Sequence, residues 1–342
     1  MNIIKDEPTI WRLQTRTASE DGNKISGYCR KNNILAMGWS LCDSTINEFG
    51  TTQEEINNLK LKRDNVKDEK DYANLFKIIY SNDYKKHGNK INPNITRLQQ
   101  EVKINDLVWM RDNGVYYIGR VGENSKWQYF YDEETSYNDA GNQRTDIEWI
   151  EVGAEDSVPG KVCTAFIQGH TLQRINKSGV NIFSKYIYNK NTATNNKYNI
   201  ENIKSDDIKK CFYSYISPTD CEDLLCMWLY KKCGYICIPS TNKNATESYE
   251  CVLLNPVDGK RIFIQVKCGD TDINAEKYID LDGDVYLFTS YGKLTLYKNK
   301  NNIKQVSSDE LFEFAFDLEN KNLLPKNILT WVTLIKELEK VD

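Results

Sequence analysis

Two β-prone runs on either side of a short turn are the feature that most restricts how this chain can fold. Residues 249–254 and 261–267 are rich in apolar and β-branched side chains. The stretch 255–260 between them contains proline, aspartate and glycine, which favour turns. A hairpin with its turn centred in that stretch pairs Glu250 with Gln265. The sequence therefore predicts an antiparallel pair of strands with a definite register.

Three polar side chains would project from one face of this hairpin, because side chains alternate between faces along a strand. They are Glu250, Gln265 and Lys267. Mg²⁺ prefers oxygen ligands and retains several waters, so we expect it to bind Glu250, the side-chain oxygen of Gln265 and the backbone carbonyl near Val266, with Mn²⁺ as a substitute. Lys267 would hold or deprotonate the attacking water and stabilise the developing negative charge. The pattern predicts a metal-dependent phosphodiesterase site, and its structural alternative is a cross-strand ion pair between Glu250 and Lys267.

The region around this hairpin has the pattern of an α/β domain. Ser217 and Pro218 predict the capped start of a helix, and Gly234 predicts its end. A short strand is expected at 235–239, before the hairpin. Further strands are expected at 284–290 and 293–298, and helices at about 308–319 and 325–340.

Segments of this region resemble the PD-(D/E)xK superfamily, and its Mrr-like restriction-endonuclease branch in particular. They are Cys221-Glu222-Asp223-Leu224-Leu225 on the helix, Lys232-Cys233-Gly234-Tyr235-Ile236 at the step into the first strand, Glu250, and Gln265-Val266-Lys267. The resemblance covers about residues 215–290 and implies a restriction-endonuclease-like mixed sheet flanked by helices. It implies that Glu222 helps to hold a metal ion or its water. The catalytic residues implied are therefore Glu222, Glu250, Gln265 and Lys267.

One residue departs from the pattern of that family. The acid on the second strand is usually Asp, and here it is Glu250. The longer side chain would move a bound metal by about the length of a methylene group. This departure keeps open a nuclease fold that has lost catalysis and only binds nucleic acid.

Helical periodicity places Glu222 near the buried edge of its helix, because Leu225 and Leu229 lie three and seven residues beyond it. An unpaired carboxylate at such a position is costly, which predicts a metal ion or the Lys267 ammonium within reach. Asp223 is turned by about 100° from Glu222 around the helix axis, so we expect it to be solvated.

The N-terminal half predicts a β-rich domain. Residues 9–15 alternate between apolar and polar side chains, and a second strand is expected at 33–39. Asn113-Gly114 joins two β-prone runs over about 104–121, which is a strong hairpin signal. Helices are expected between about 51 and 86.

This half resembles the PUA-like superfamily, including EVE-type domains, through the segment Thr9–Leu41 and the hairpin Ile104–Val121 followed by tryptophans. The resemblance implies a small β-barrel over residues 1–175 that accepts a base flipped out of a duplex between aromatic walls. The candidate nucleic-acid-binding residues are Trp39, Trp109, Tyr117 and Trp127, with Trp11 and Tyr116 as further aromatic candidates. The structural alternative is that these side chains form the core of the barrel.

A basic segment separates the two halves. Residues 176–210 are rich in asparagine and contain seven lysines and three acidic residues, a local charge of +4. This composition predicts a linker before a nuclease domain at 211–342. The lysines would lie along a phosphate backbone or would simply be solvated.

Composition narrows the chemistry and the compartment. The two histidines, His87 and His170, are too few for an HNH nuclease or a histidine-rich metal site. The ten cysteines contain no Cys-x₂-Cys pair, so we expect buried apolar thiols in a reducing cytosol. The chain has neither a signal-peptide core nor an apolar run of ~20 residues, which predicts a cytoplasmic protein with no membrane association. The net charge of −4 neither supports nor excludes a nucleic-acid partner.

These features predict a two-domain protein of the α+β or α/β class, with a PUA-like reader joined to a PD-(D/E)xK cutter. The expected activity is Mg²⁺-dependent endonuclease cleavage of DNA that carries a modified base, as in restriction and antiviral defence. One active site cuts one strand, so a double-strand break would need a homodimer or two successive events. The alternatives are a nuclease activated by a partner protein, an enzyme that acts on RNA, and an inactive nucleic-acid-binding module.

Overall fold

A computed structural model of the chain describes residues 7–15, 24–167, 169–192, 197–203, 208–242, 249–295 and 302–339. The chain forms two compact units. The first comprises Met1–Ala154, Thr164–Asn176 and Ser184–Asn199, and the second comprises Glu155–Cys163, Lys177–Phe183 and Ile200–Asp342. The units therefore interleave along the sequence.

The secondary structure alternates helices and strands throughout. Between residues 10 and 153 the elements are β1 (Ile10–Leu13), α1 (Lys24–Asn32), β2 (Leu35–Met37), α2 (Asp43–Phe49), α3 (Gln53–Asp64), α4 (Glu69–Ile79), α5 (Ser81–Lys86), α6 (Pro93–Thr96), β3 (Leu107–Asp112), β4 (Val115–Val121), β5 (Trp127–Tyr129), α7 (Glu133–Asn138), β6 (Asn142–Arg144) and β7 (Ile147–Gly153). After them come α8 (Gly160–Ala165), β8 (Leu172–Arg174), α9 (Val180–Asn191), α10 (Ile208–Tyr215), α11 (Pro218–Cys233), β9 (Ile236–Cys237), β10 (Cys251–Leu254), β11 (Arg261–Lys267), β12 (Ile273–Asn274), β13 (Asp284–Thr289), β14 (Leu294–Thr295), β15 (Ile303–Val306), α12 (Ser308–Phe316) and α13 (Lys326–Glu339). Short turns of 3₁₀ or π-helix occur at Arg97–Glu101, Glu155–Ser157, Pro239–Thr241, Ala275–Tyr278 and Leu318–Asn320.

The first unit is built on a mixed sheet with the strand order β7-β4-β3-β1-β8. Strands β1 and β3 are parallel, and the other neighbours are antiparallel. The predicted hairpin at Asn113-Gly114 is confirmed: both residues have positive φ, 47° and 82°, which a tight two-residue turn requires. Within the described residues β7 and β8 end the sheet on its two sides, so no closed barrel forms there. The mixed α+β class agrees with the prediction, and the barrel does not appear.

A smaller antiparallel sheet, β2-β6-β5, also belongs to the first unit. Helices α2 to α4 and the residues after them provide an apolar cluster that packs against it, with the fully buried Tyr72 and Phe76 at its centre. The partly buried Trp39 and Trp127 contact both this cluster and the core of the larger sheet. These two tryptophans therefore lie where the two cores of this unit meet.

The segment 176–210, predicted to be a basic linker, contains helix α9. Tyr188 on this helix is fully buried, and Tyr198 beyond it is 2% exposed. The two rings are in edge contact, with their centroids 5.5 Å apart. Residues 193–196 and 204–207, which also belong to the predicted linker, lie outside the described residues. Part of this segment is thus packed structure of the first unit.

The second unit is built on the mixed sheet β15-β13-β11-β10-β9. Strands β9, β10 and β11 are antiparallel neighbours, whereas β11, β13 and β15 run parallel to one another. Helix α11 packs against β9 and β11, and α10, α12 and α13 pack with one another. A mixed sheet with flanking helices was predicted for this region.

The ends of helix α11 follow the sequence signals. Ser217 and Asp220 form a capping box, and Asp220 also accepts a hydrogen bond of 2.6 Å from the side chain of Asn327. Gly234 ends the helix with φ of 70°, a left-handed conformation that suits glycine. The start of the helix that carries Glu222 is therefore fixed by buried hydrogen bonds. Among the described helices of the whole chain, none is long and apolar enough to cross a membrane.

Candidate active site

The hairpin of β10 and β11 has the predicted register. Cys251 pairs with Ile264, and the register continues to Leu254 and Arg261. Glu250 lies just before β10, and its backbone N–H donates a hydrogen bond of 2.9 Å to the carbonyl of Ile264. This bond extends the pairing by one residue and places Glu250 beside Gln265.

The side chains of Glu250, Gln265 and Lys267 are in contact. The amide nitrogen of Gln265 donates to Oε1 of Glu250 and, at 3.3 Å, to the backbone carbonyl of Val266. The ammonium of Lys267 lies 3.5 Å from the same Oε1 of Glu250. The structure thus brings together all the hairpin residues that the sequence predicted for the site.

These three residues differ in how far they are exposed to solvent. Gln265 is 3% exposed. The side chains of Glu250 and Lys267 are 26% and 41% exposed. An amide held in the sheet therefore supports two charged groups that solvent or a substrate can reach.

Glu222 on α11 lies within electrostatic range of this cluster. Burial and then the negative charge of Glu250 raise the pKa of Glu222 to about 7, while the positive charge of Lys267 opposes the rise. Glu222 makes no hydrogen bond or ion pair with any described residue. It is therefore a half-buried carboxylate that is partly protonated near neutral pH.

Asp223 differs from the expectation. It is half-buried rather than solvated, and burial raises its pKa to about 6. The reason is its position one turn before the buried Cys226, on a helix that packs against the sheet. Neither a hydrogen bond nor an ion pair links the Asp223 carboxylate to any residue that the structure describes.

Three cysteines that the sequence presented as separate buried thiols lie together. Cys226 comes from α11, Cys237 from β9 and Cys251 from β10. Their sulfur atoms are 3.7 Å apart for Cys226 and Cys251, and 3.8 Å apart for Cys237 and Cys251. A thiol hydrogen bond from Cys226 lowers the pKa of Cys237. The missed signal was the register of β9, because pairing of Cys237 with Leu253 puts Cys237 and Cys251 on one face.

A cleft of about 430 Å³ in the second unit lies at the turn of the hairpin, between residues 259–261 and 281–283. Glu250 and Lys267 lie at the opposite end of the hairpin. The length of β11, at about 3.3 Å per residue, separates the two places by roughly 20 Å. The cleft is therefore distinct from the acid and lysine cluster.

The aromatic residues predicted to contact a base have different environments in the first unit. Trp109 is fully buried in the sheet, and its indole N–H donates a hydrogen bond of 2.9 Å to Oγ of Ser184. Tyr117 is 8% exposed, and the guanidinium of Arg30 covers its ring at 4.3 Å from the centroid. Neither ring has a face open to a base. Trp39 and Trp127 remain as the partly buried members of the predicted set.

Four buried polar atoms without hydrogen-bond partners among the described residues belong to Trp127 and three neighbouring side chains. They are Nε1 of Trp127, the hydroxyl of Tyr129, Oδ1 of Asn142 and Nε of Arg144. Trp127 is paired with Arg144 and Tyr129 with Asn142 across β5 and β6, so all four side chains share one face. Tyr72 links them, because its ring lies 5.9 Å from that of Trp127 and its hydroxyl accepts a hydrogen bond from Asn142. Leaving several buried polar groups unpaired is costly, so this face is a candidate ligand site.

Comparisons of this chain with protein-family models, with curated proteins and with solved structures found no significant match. The candidate functions therefore depend on the residues and their geometry. The second unit contributes an acid, amide and lysine cluster with an elevated-pKa glutamate nearby. The first contributes a buried polar face beside aromatic rings.

Proposed function

We propose that the second unit is a Mg²⁺-dependent nuclease of the PD-(D/E)xK type and that it cleaves DNA. The observation that carries this proposal is the position of the Gln265 amide nitrogen. It donates at once to Glu250 and to the carbonyl of Val266, two of the three oxygens expected to bind metal. A donor group thus occupies the place where a cation would meet these oxygens.

The residues present fit a small, hard cation. Rotation of the Gln265 amide about its last torsion would exchange nitrogen for oxygen, without movement of the strand. Glu250, Gln265 and the carbonyl of Val266 would then offer three oxygens, and waters would complete the shell that Mg²⁺ prefers. A bound Mg²⁺ would supply Lewis acidity and offset charge on the scissile phosphate.

Lys267 and Glu222 would act on the attacking water and on the phosphate. Lys267 is accessible and cationic, so it would donate a hydrogen bond to the water or to a phosphate oxygen as negative charge develops. Glu222 has a pKa of about 7, close to neutral pH, which suits a group that accepts a proton from the water. The order of the elements supports this assignment. Helix α11, which carries Glu222, precedes the antiparallel strands β9 to β11, and β13 follows as a strand parallel to β11.

We propose further that the first unit selects the substrate by reading a modified base. The support is the face of β5 and β6, where unpaired donors from Trp127 and Arg144 lie beside an unpaired acceptor from Asn142. The edge of a base presents donors and acceptors of this kind, and the ring of the partly buried Trp127 would contact its face. Trp39 is adjacent and has a positive φ of 57°, an uncommon conformation for a bulky residue. Because Trp109 and Tyr117 are covered, they have no place in this proposed pocket.

A substrate panel tests the proposed function. The full chain would be incubated with Mg²⁺ and end-labelled duplexes of one sequence, with and without modified cytosine or adenine, and with the matching RNA. We expect cleavage of modified DNA, little cleavage of unmodified DNA and none of RNA. Cleavage of RNA alone would favour the RNA-directed alternative, and cleavage only after addition of a cell extract would favour activation by a partner. If none of the substrates is cleaved, with or without the extract, the inactive nucleic-acid-binding module is favoured.

A further inference from the structure

The three clustered cysteines have the spacing of ligands around one metal ion. Two of the three distances between sulfurs are 3.7 and 3.8 Å, and all three sulfurs lie within 4.8 Å of one another. A tetrahedral site with Zn–S bonds of about 2.3 Å has its sulfurs ~3.8 Å apart. The observed distances therefore match the edges of a tetrahedral thiolate site.

A disulfide fits the same cluster less well. Its sulfurs must approach to about 2.05 Å, and a bond between any two cysteines would leave the third alone. A single ion would use all three thiols at their present positions. Cys226, Cys237 and Cys251 are all free in the structure.

The cluster is held by the fold and not by a flexible loop. Cys226 is on α11, and Cys237 and Cys251 are on antiparallel neighbours on the sheet face that faces this helix. Cys226 and Cys251 are buried, whereas Cys237 is partly exposed, which leaves a route for an ion to enter. Sulfur ligands from rigid elements favour thiophilic ions such as Zn²⁺ over Mg²⁺.

The fourth position of the site would be filled by water. Among the described residues, the ligand atoms that lie together in this cluster are the three cysteine sulfurs, all within 4.8 Å of one another. Zn²⁺ is usually four-coordinate, and sites with three protein ligands carry a water in the fourth position.

We infer that Cys226, Cys237 and Cys251 bind one Zn²⁺ ion, with water as the fourth ligand. The site is separate from the proposed Mg²⁺ site, because Cys251 and Glu250 are adjacent and therefore point to opposite faces of the sheet. The ion would join α11 to the first two strands of the sheet. It would also fix the backbone that places Glu250, so the site has a structural role.

Metal content and Co²⁺ spectroscopy test this inference without any nuclease assay. The full chain would be purified under reducing conditions and its bound metals measured by mass spectrometry. The metal-free protein would then be titrated with Co²⁺, which reports thiolate ligands through charge-transfer bands and tetrahedral geometry through d–d bands. We expect one Zn²⁺ per chain and both sets of bands, which Zn²⁺ should then displace.

Variants on the same helix and strands provide the controls. Cys237→Ser should lose stoichiometric Zn²⁺ and the charge-transfer bands, and its partly exposed position limits any damage to the core. Cys233→Ser, which replaces an exposed cysteine on α11, should keep both. The inference would be overturned by folded wild-type protein with no bound metal and no Co²⁺ thiolate bands, by bound copper or iron in place of zinc, or by unchanged binding in Cys237→Ser.

Discussion

Replacing Glu222 with glutamine should stabilise the protein at alkaline pH. Folding raises the pKa of this carboxyl from 4.5 to about 7, through burial and the charge of Glu250. The folded state therefore holds a proton that the unfolded state releases between these pH values. The stability contributed by the protonated form is complete below pH 4.5 and is lost as the pH rises through 7. Glutamine keeps the shape of the protonated side chain and cannot acquire the charge.

The size of the expected stabilisation follows from the rise in the pKa of Glu222. At about 1.4 kcal/mol for each pH unit, a rise from 4.5 to about 7 corresponds to a ceiling of ~3.4 kcal/mol. Glu222 is only half-buried, so solvent screens it, and about 1–2 kcal/mol is the expected gain. Urea unfolding of both proteins without added Mg²⁺ would measure the free energy of unfolding at pH 4.5 and pH 8. The free energies of unfolding of the two proteins should be nearly equal at pH 4.5, and that of Glu222→Gln should be the larger at pH 8.

The exposed Glu313 on α12 provides a matched control. Glu313→Gln replaces a carboxylate in the same unit as Glu222, but one that is exposed to solvent. Glu313→Gln should change the stability by less than ~0.5 kcal/mol at both pH values. Added Mg²⁺ should narrow the gap between wild type and Glu222→Gln at pH 8, since a cation offsets the charges around Glu222. A Glu222→Gln protein that is no more stable than wild type at pH 8 would refute the reasoning about burial and charge.

Three further outcomes concern DNA binding, two for variants of the first unit and one for a variant of the second, and fluorescence anisotropy with labelled DNA measures the binding in each. Trp127→Phe removes an unpaired buried N–H and should lower the preference for modified over unmodified DNA about five- to tenfold; an unchanged preference would remove Trp127 from the pocket. Trp109→Phe should leave that preference unchanged while lowering the free energy of unfolding by about 1–3 kcal/mol, because it removes the buried hydrogen bond from the indole N–H to Ser184; a lost preference without destabilisation would place Trp109 in the pocket. Binding by Lys267→Ala should weaken steeply as salt rises from 50 to 200 mM, and affinity independent of salt would argue against phosphate contacts.

Local patterns in the sequence were sufficient to predict the residues of the candidate site, but not the packing around them. The register of Glu250 and Gln265 followed from a turn of fixed length, because strand pairing propagates outward from the turn. The ends of α11 followed from Ser217 and Gly234, whose capping preferences are local.

The features that were missed depend on contacts between residues far apart in the sequence. The clustering of Cys226, Cys237 and Cys251 needs the packing of α11 on the sheet, which no spacing of cysteines along the chain reveals. The buried Trp109 donates its hydrogen bond to Ser184, which is 75 residues away. An aromatic residue in a strand gives the same signal whether it lies in a core or in a pocket.

Single-turnover cleavage of a modified duplex tests the central claim most directly. Wild type, Lys267→Ala and Glu250→Gln would be compared at pH 7.5 with Mg²⁺ and without it, and the exposed Lys321→Ala would serve as the control. We expect Mg²⁺-dependent cleavage by wild type and by Lys321→Ala, and rates lower by at least ~10²-fold for Lys267→Ala and Glu250→Gln. Circular dichroism and DNA binding should be unchanged in the slow variants. Cleavage by either variant at the wild-type rate, or cleavage by wild type without a divalent metal, would contradict the assignment of this site.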